Sequence, residues 1–168
     1  LKDFPQAEHL FQVVAPDLAS EFPPPKNLER IAHNLPVQLT SFIGREKDVA
    51  EVRRLLSTTR LLTLTGSGGT GKTRLSLQAA AGLLGDFPDG DWFVELAPLA
   101  DPDFVPQTVA STLKLPEQQD QPSLATLTAY LRDKRLLLIL DNCEHLIDAC
   151  ARLADTLLHN APQLTILA

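Results

Sequence analysis

Leu61-Leu62-Thr63-Leu64-Thr65-Gly66-Ser67-Gly68-Gly69-Thr70-Gly71-Lys72-Thr73 decides how the rest of the chain is read. The first five residues are a β-type run that stops at Gly66. From Thr73 to Leu84 the pattern turns helical, with Leu75, Ala79 and Leu83 on one face. Between them, Gly66 to Thr73 fits G-x-x-x-x-G-K-S/T without deviation. Polyphosphates need many donors at close range, and side chains obstruct them. Gly66, Gly68, Gly69 and Gly71 let the backbone of the loop, Ser67 and Thr70 included, curl with its N–H groups inward. The helix that follows adds its positive end. Lys72 supplies a charge for β- and γ-phosphates, the Thr73 hydroxyl can ligate Mg²⁺, and Arg74 joins the candidate nucleotide contacts. The plainer alternative is a glycine-rich turn ahead of an ordinary helix. The flanking strand and helix favour the cradle, because the mechanism needs them there.

Downstream, strand and helix alternate. Trp92–Leu96 is expected as a strand entered from the turn residues Pro88 to Asp91. Val105–Leu113 and Leu124–Leu131 are expected as helices, parted by a polar loop around Glu117 to Gln121. Leu136–Leu140 is continuously apolar, as a strand buried on both faces should be. Leu146, Cys150, Leu153 and Leu157 mark an amphipathic helix, and Leu164–Leu167 a further strand. Upstream, Val49, Val52 and Leu56 give a helix that Glu46 and Asp48 favour at its start. The pattern predicts an α/β fold, a parallel sheet with helices on both faces.

Asp141 ends the apolar strand Leu136–Leu140. Beside the loop strand it would reach a magnesium shell; otherwise Asp141 or Asn142 caps the next helix. Hydrolysis needs a group to orient or deprotonate water. Asn142 holds the position where many such ATPases carry Glu, which leaves Glu144 as a candidate base or as a charge favoured by the helix dipole. His145 reads as a helix-entry residue, Cys150 as core, and Trp92 as packing. Cys143 has no partners at metal-ligand spacing.

Thirteen prolines and eight glycines are unevenly spread, and five of the prolines fall in residues 1–35, including Pro23-Pro24-Pro25. An irregular or polyproline-II linker is expected there, after a short strand at Leu10–Val14. With 44% hydrophobic residues among 168, the chain can bury a real core. A formal charge of −6 argues against attraction to nucleic acid by this segment itself. Two cysteines make no disulfide framework, and a cytoplasmic setting is expected. No apolar run is long enough to cross a membrane. Leu1 at the start and an apolar run at the end imply a piece of a longer chain.

Leu35 to Glu46, the loop strand and Gly66–Thr73, together with Trp92-Phe93-Val94-Glu95-Leu96-Ala97 and Leu140-Asp141-Asn142-Cys143-Glu144-His145-Leu146, resemble the STAND (NB-ARC-like) signalling ATPases of large bacterial LuxR- or SARP-type regulators. The resemblance covers residues 35–168. It implies a P-loop NTPase domain over residues 36–168, incomplete at its C-terminus, in which Phe42, Ile43, Gly44 and Arg45 lie against adenine and ribose. From residue chemistry alone, Arg45 is a solvated helix charge. Residues 1–13 are similar to the closing strand of a class III nucleotide cyclase, which implies an upstream domain ending near residue 14 and a linker over 15–35.

The function implied is an ATP/ADP- and Mg²⁺-dependent switch in signalling or transcription, with slow hydrolysis carried by Lys72, Asp141 and Glu144, and with self-association or protein partners. A nucleotide-dependent interaction module without useful turnover is the alternative. A small-molecule kinase is disfavoured: between Pro98 and Asp133 the basic residues are Lys114 and Arg132, too few for an arginine-rich lid.

Overall fold

A computed structural model describes residues 32–37, 43–116 and 121–168. The strand expected at Leu10–Val14, the prolines at 23–25, Phe42 and most of the polar loop at 117–121 lie outside these.

The long apolar run forms β3 (Leu137–Asp141) at the centre of a four-stranded parallel sheet, ordered β1 (Leu61–Leu62), β4 (Thr165–Leu167), β3, β2 (Asp91–Glu95). Alternation along β3 serves two cores. Leu137 and Ile139 face α1 (Glu46–Leu56) and α2 (Lys72–Ala81), packing with Val49, Val52, Leu56 and Leu75. Leu136, Leu138 and Leu140 face α3 (Val105–Thr112), α4 (Ser123–Leu131) and α5 (Ile147–Asn160). The stripe Leu146, Cys150, Leu153 and Leu157 is buried against that second core. Burying such a side chain stabilises the fold by about 1.5–3 kcal/mol. The architecture is that of a P-loop NTPase: α/β, parallel, with helices on both faces.

One expectation is corrected. The loop strand does not lie beside the strand that ends in Asp141, because β4 pairs with both, Leu61 opposite Ile166 and Leu137 opposite Thr165. The physical reason is burial. Ile166 and Leu167 are wholly buried and need neighbours on each side, whereas Leu61, Thr63 and Thr65 are exposed and suit an edge. β1 is also shorter than expected, although Leu64 N–H donates to Ala168 O at 2.7 Å and carries the pairing on.

At the other edge, residues 32–34 run along β2. Asp91 N–H donates to Ala32 O at 3.2 Å. The Asn34 amide brackets the Phe93 backbone, donating to its carbonyl at 2.7 Å and accepting its N–H at 2.6 Å. Gly90 is left-handed (φ 112°), and a Cβ there would overlap Ala32 O. The composition of residues 15–35 reads as linker, yet its last residues dress the sheet edge.

Two arginines join α1 to α2. Arg45 Nη1 donates to Thr70 O at 2.8 Å, ahead of α2. Arg53 donates to Gln78 O at 3.1 Å and Ala79 O at 3.2 Å, near its far end.

Candidate functional site

The loop Gly66–Gly71, Asp141 and Ala168 all stand at or just beyond the carboxyl ends of their strands, the end at which open α/β sheets bind ligands. Gly69 (φ 78°) and Gly71 (φ 80°) are left-handed, a conformation that side chains oppose, and they turn the loop back on itself. Gly71 is the N-cap of α2 and offers no side chain to the helix. The first α2 backbone bond is Leu75 N–H to Gly71 O at 2.9 Å, so the N–H groups of Lys72, Thr73 and Arg74 face the loop. A helix N-terminus with no side-chain cap, behind a glycine turn, has the geometry that suits an anion. Arg74 sits half-buried in that first turn.

Lys72 reaches back over the loop. Its ammonium donates to Gly66 O at 2.7 Å and Ser67 O at 3.3 Å, and pairs with Glu144 Oε1 at 3.0 Å. The Thr73 hydroxyl donates to Asp141 Oδ1 at 2.8 Å, although the two are 68 residues apart. β4 lies between β1 and β3, so the loop Gly66–Gly71 carries Thr73, at the start of α2, across to Asp141. Both groups are hard oxygen donors, and such a pair fits Mg²⁺, which takes one or two protein oxygens and completes its shell with water and phosphate. Among the described residues no cluster of three His, Cys, Asp or Glu could hold a metal otherwise.

Asn142 has a conformational explanation. It is left-handed (φ 63°, ψ 49°), where Asn is tolerated far better than Glu. The chain then makes a 3-10 turn over Cys143–His145, which carries Glu144 to Lys72. His145 Nε2 lies 2.7 Å from Leu99 O and ties the turn, just ahead of the α5 N-cap Leu146, to the β2–α3 connection. The pKa of the Cys143 thiol is pushed up, first by its hydrogen bond with Cys150 and then by burial, which disfavours the thiolate. Cys150 and Trp92 are core, as their positions predict.

Of the resemblance-derived contacts, Ile43 is 83% exposed, Gly44 is left-handed (φ 83°), and Arg45 lies between Asp48 Oδ2 at 2.7 Å and Thr70 O. Arg45 thus touches the loop backbone, a contact that no local pattern announces. Phe42 lies outside the described residues. A cavity of about 240 Å³ opens between Thr65, Gly66, Lys72, Asp141, Glu144 and Ala168. A larger one of about 490 Å³ lies at the opposite end of the sheet, near Arg60, Asp86 and Arg135, far from the glycine loop. Asp91 was missed by sequence reasoning. It is wholly buried, and its two carboxylate oxygens have no hydrogen-bond partner among the described residues. Burial first, then the Asp86 charge, raise its pKa from 3.8 to about 7.

Comparison with known proteins places these features. The profile of the Novel STAND NTPase 1 family matches residues 36–166. An uncharacterized protein of Mycobacterium tuberculosis (strain H37Rv) is 46% identical over 137 residues, 82% of this chain and 35% of its own length. A Mycobacterium bovis protein matches to the same extent. A further M. tuberculosis relative, named as an HTH-type transcriptional regulator, is 45% identical over 117 residues, 70% of this chain and 13% of its own. The chain therefore spans about a third or less of the curated relatives it matches. Among the described residues, no helix is long and apolar enough to cross a membrane.

Proposed function

The chain belongs to the Novel STAND NTPase 1 family, and from that premise we propose that it is an ATP/ADP-binding regulatory module whose nucleotide state is read by the rest of its protein. The observation that carries the proposal is the Thr73–Asp141 hydrogen bond at the mouth of the glycine loop. It brings the two expected magnesium ligands together from opposite ends of the motif set.

In this reading the loop N–H groups and the α2 N-terminus bind the phosphates, and Lys72 neutralises the β- and γ-oxygens. Thr73 and Asp141 would hold Mg²⁺, which when bound offsets phosphate charge and orients the terminal group. Ile43 offers exposed apolar surface suited to an adenine face, with Gly44 and Arg45 next in the chain, and Phe42 is included in the same proposal from the sequence. Glu144 is close enough to orient a water molecule. Turnover is slow, because Asn142 leaves no base directly after Asp141 and Glu144 stands three residues beyond it. Those same two observations favour the second reading, an interaction module that holds nucleotide without useful hydrolysis.

The relative named as a transcriptional regulator supports a place in transcription control; the proposal adds a cytoplasmic setting and self-association or protein partners, with no nucleic-acid contacts from this segment. The upstream cyclase-like end (1–14), the linker (15–35) and the LuxR- or SARP-type setting belong to the same proposal. Phosphate release by the full-length protein, compared with Lys72→Ala and Glu144→Gln, tests it. Binding must fall in Lys72→Ala. Native turnover abolished by Glu144→Gln supports the switch, and no native turnover with intact binding supports the interaction module. Binding unchanged in Lys72→Ala refutes both.

A further inference from the structure

A lysine ammonium has three N–H donors. Among the described residues, Lys72 Nζ meets three acceptors: Gly66 O at 2.7 Å, Ser67 O at 3.3 Å and Glu144 Oε1 at 3.0 Å. An incoming phosphate oxygen must therefore take a place that one of these holds. The two carbonyls belong to the loop itself, and Ser67 O also accepts from the Thr70 hydroxyl at 2.9 Å, so shifting it would disturb the cradle. Glu144 differs. Its side chain is 63% exposed against 25% for Lys72, and it can leave by rotating into water. Its turn need not follow, because His145 is held at Leu99 O and Leu146 N–H bonds Cys143 O at 2.9 Å.

We propose that Glu144 is a built-in competitor of the nucleotide's phosphates for the Lys72 ammonium, so that polyphosphate affinity is set by exchange of one anion for another. The inference rests on the nucleotide-binding reading above and concerns its regulation. Two effects act in the same direction. The Lys72–Glu144 pair must be given up, and the freed carboxylate then faces phosphates of its own sign. The exchange also times the site: Glu144 leaves Lys72 only when an anion has replaced it, so a group able to orient water is released by the substrate's own phosphates.

The test is equilibrium binding to the full-length protein and its Glu144→Gln variant, using ADP, a non-hydrolysable ATP analogue and adenosine, at low and high salt. Glu144 is exposed, and the substitution leaves the core intact. The expected result is about two- to five-fold tighter ADP and ATP-analogue binding in the variant, the range of an exposed ion pair. The gain shrinks at high salt, and adenosine is unaffected. Unchanged or weaker polyphosphate binding in Glu144→Gln, with native binding intact, overturns the inference alone; so does an equal gain for adenosine. Absence of nucleotide binding by the native protein overturns the functional reading, and the inference with it.

Discussion

Replacing Asp91 with Asn should stabilise the protein above neutral pH and do little in acid. The carboxyl is wholly buried at the start of β2, with no hydrogen-bond partner among the described residues, and its pKa rises from 3.8 to about 7 through burial and Asp86. A raised acid pKa means that the folded state holds the proton while the unfolded state has released it. Stability therefore falls as pH climbs from about 4 to 7, and the whole penalty is present above 7. At 1.36 kcal/mol per pH unit the ceiling is about 4 kcal/mol. Asn keeps the shape, carries no charge and still buries an unpaired amide, so a net gain of about 1–3 kcal/mol at pH 8 is expected. Urea unfolding of both proteins at pH 4.5 and pH 8 measures it. The native curve should shift to lower urea at the higher pH, and the variant curve should move far less. A native protein more stable at pH 8 than at pH 4.5, with Asp91→Asn destabilised at both, would refute the reasoning.

Lys72→Ala removes a charge-assisted contact worth about 1.5–3 kcal/mol, so ADP affinity should fall by roughly one to two orders of magnitude in calorimetric titration. Asp141→Asn should leave magnesium-free nucleotide binding close to native and abolish the extra affinity gained on adding Mg²⁺, seen by titrating with and without chelator. Gly90→Ala places a Cβ against Ala32 O in a left-handed backbone. It should cost about 1–3 kcal/mol, with faster hydrogen exchange at the Asp91 and Phe93 amides, whose partners lie in residues 32–34.

The local chemistry was legible before the fold was seen. Glycine spacing predicts the loop, the stripe from Leu146 to Leu157 predicts α5, and the acid after an apolar run singles out Asp141. Each depends on residues within a few turns of one another. Strand order was not legible in that way, since β4 enters between β1 and β3 for reasons of total burial. The exposed Thr63 and Thr65 carried a hint, because alternating polarity suits an edge. Asp91 reads as a turn residue between Gly90 and Trp92, and its burial depends on packing that the sequence does not display. Arg45 is similar: its partner Thr70 is 25 residues away, bonded through a backbone carbonyl with no pattern of its own.

Arg45, the N-cap of α1, and Arg53 within it grip α2 at separate points, Arg45 at the carbonyl before its first turn and Arg53 at carbonyls in its last. One attachment would be a pivot. Two, spaced along an axis, oppose both sliding and swivelling, and make the pair a lever with the glycine loop at one end. A tug on the backbone just ahead of Glu46 would then tilt the loop rather than stretch it.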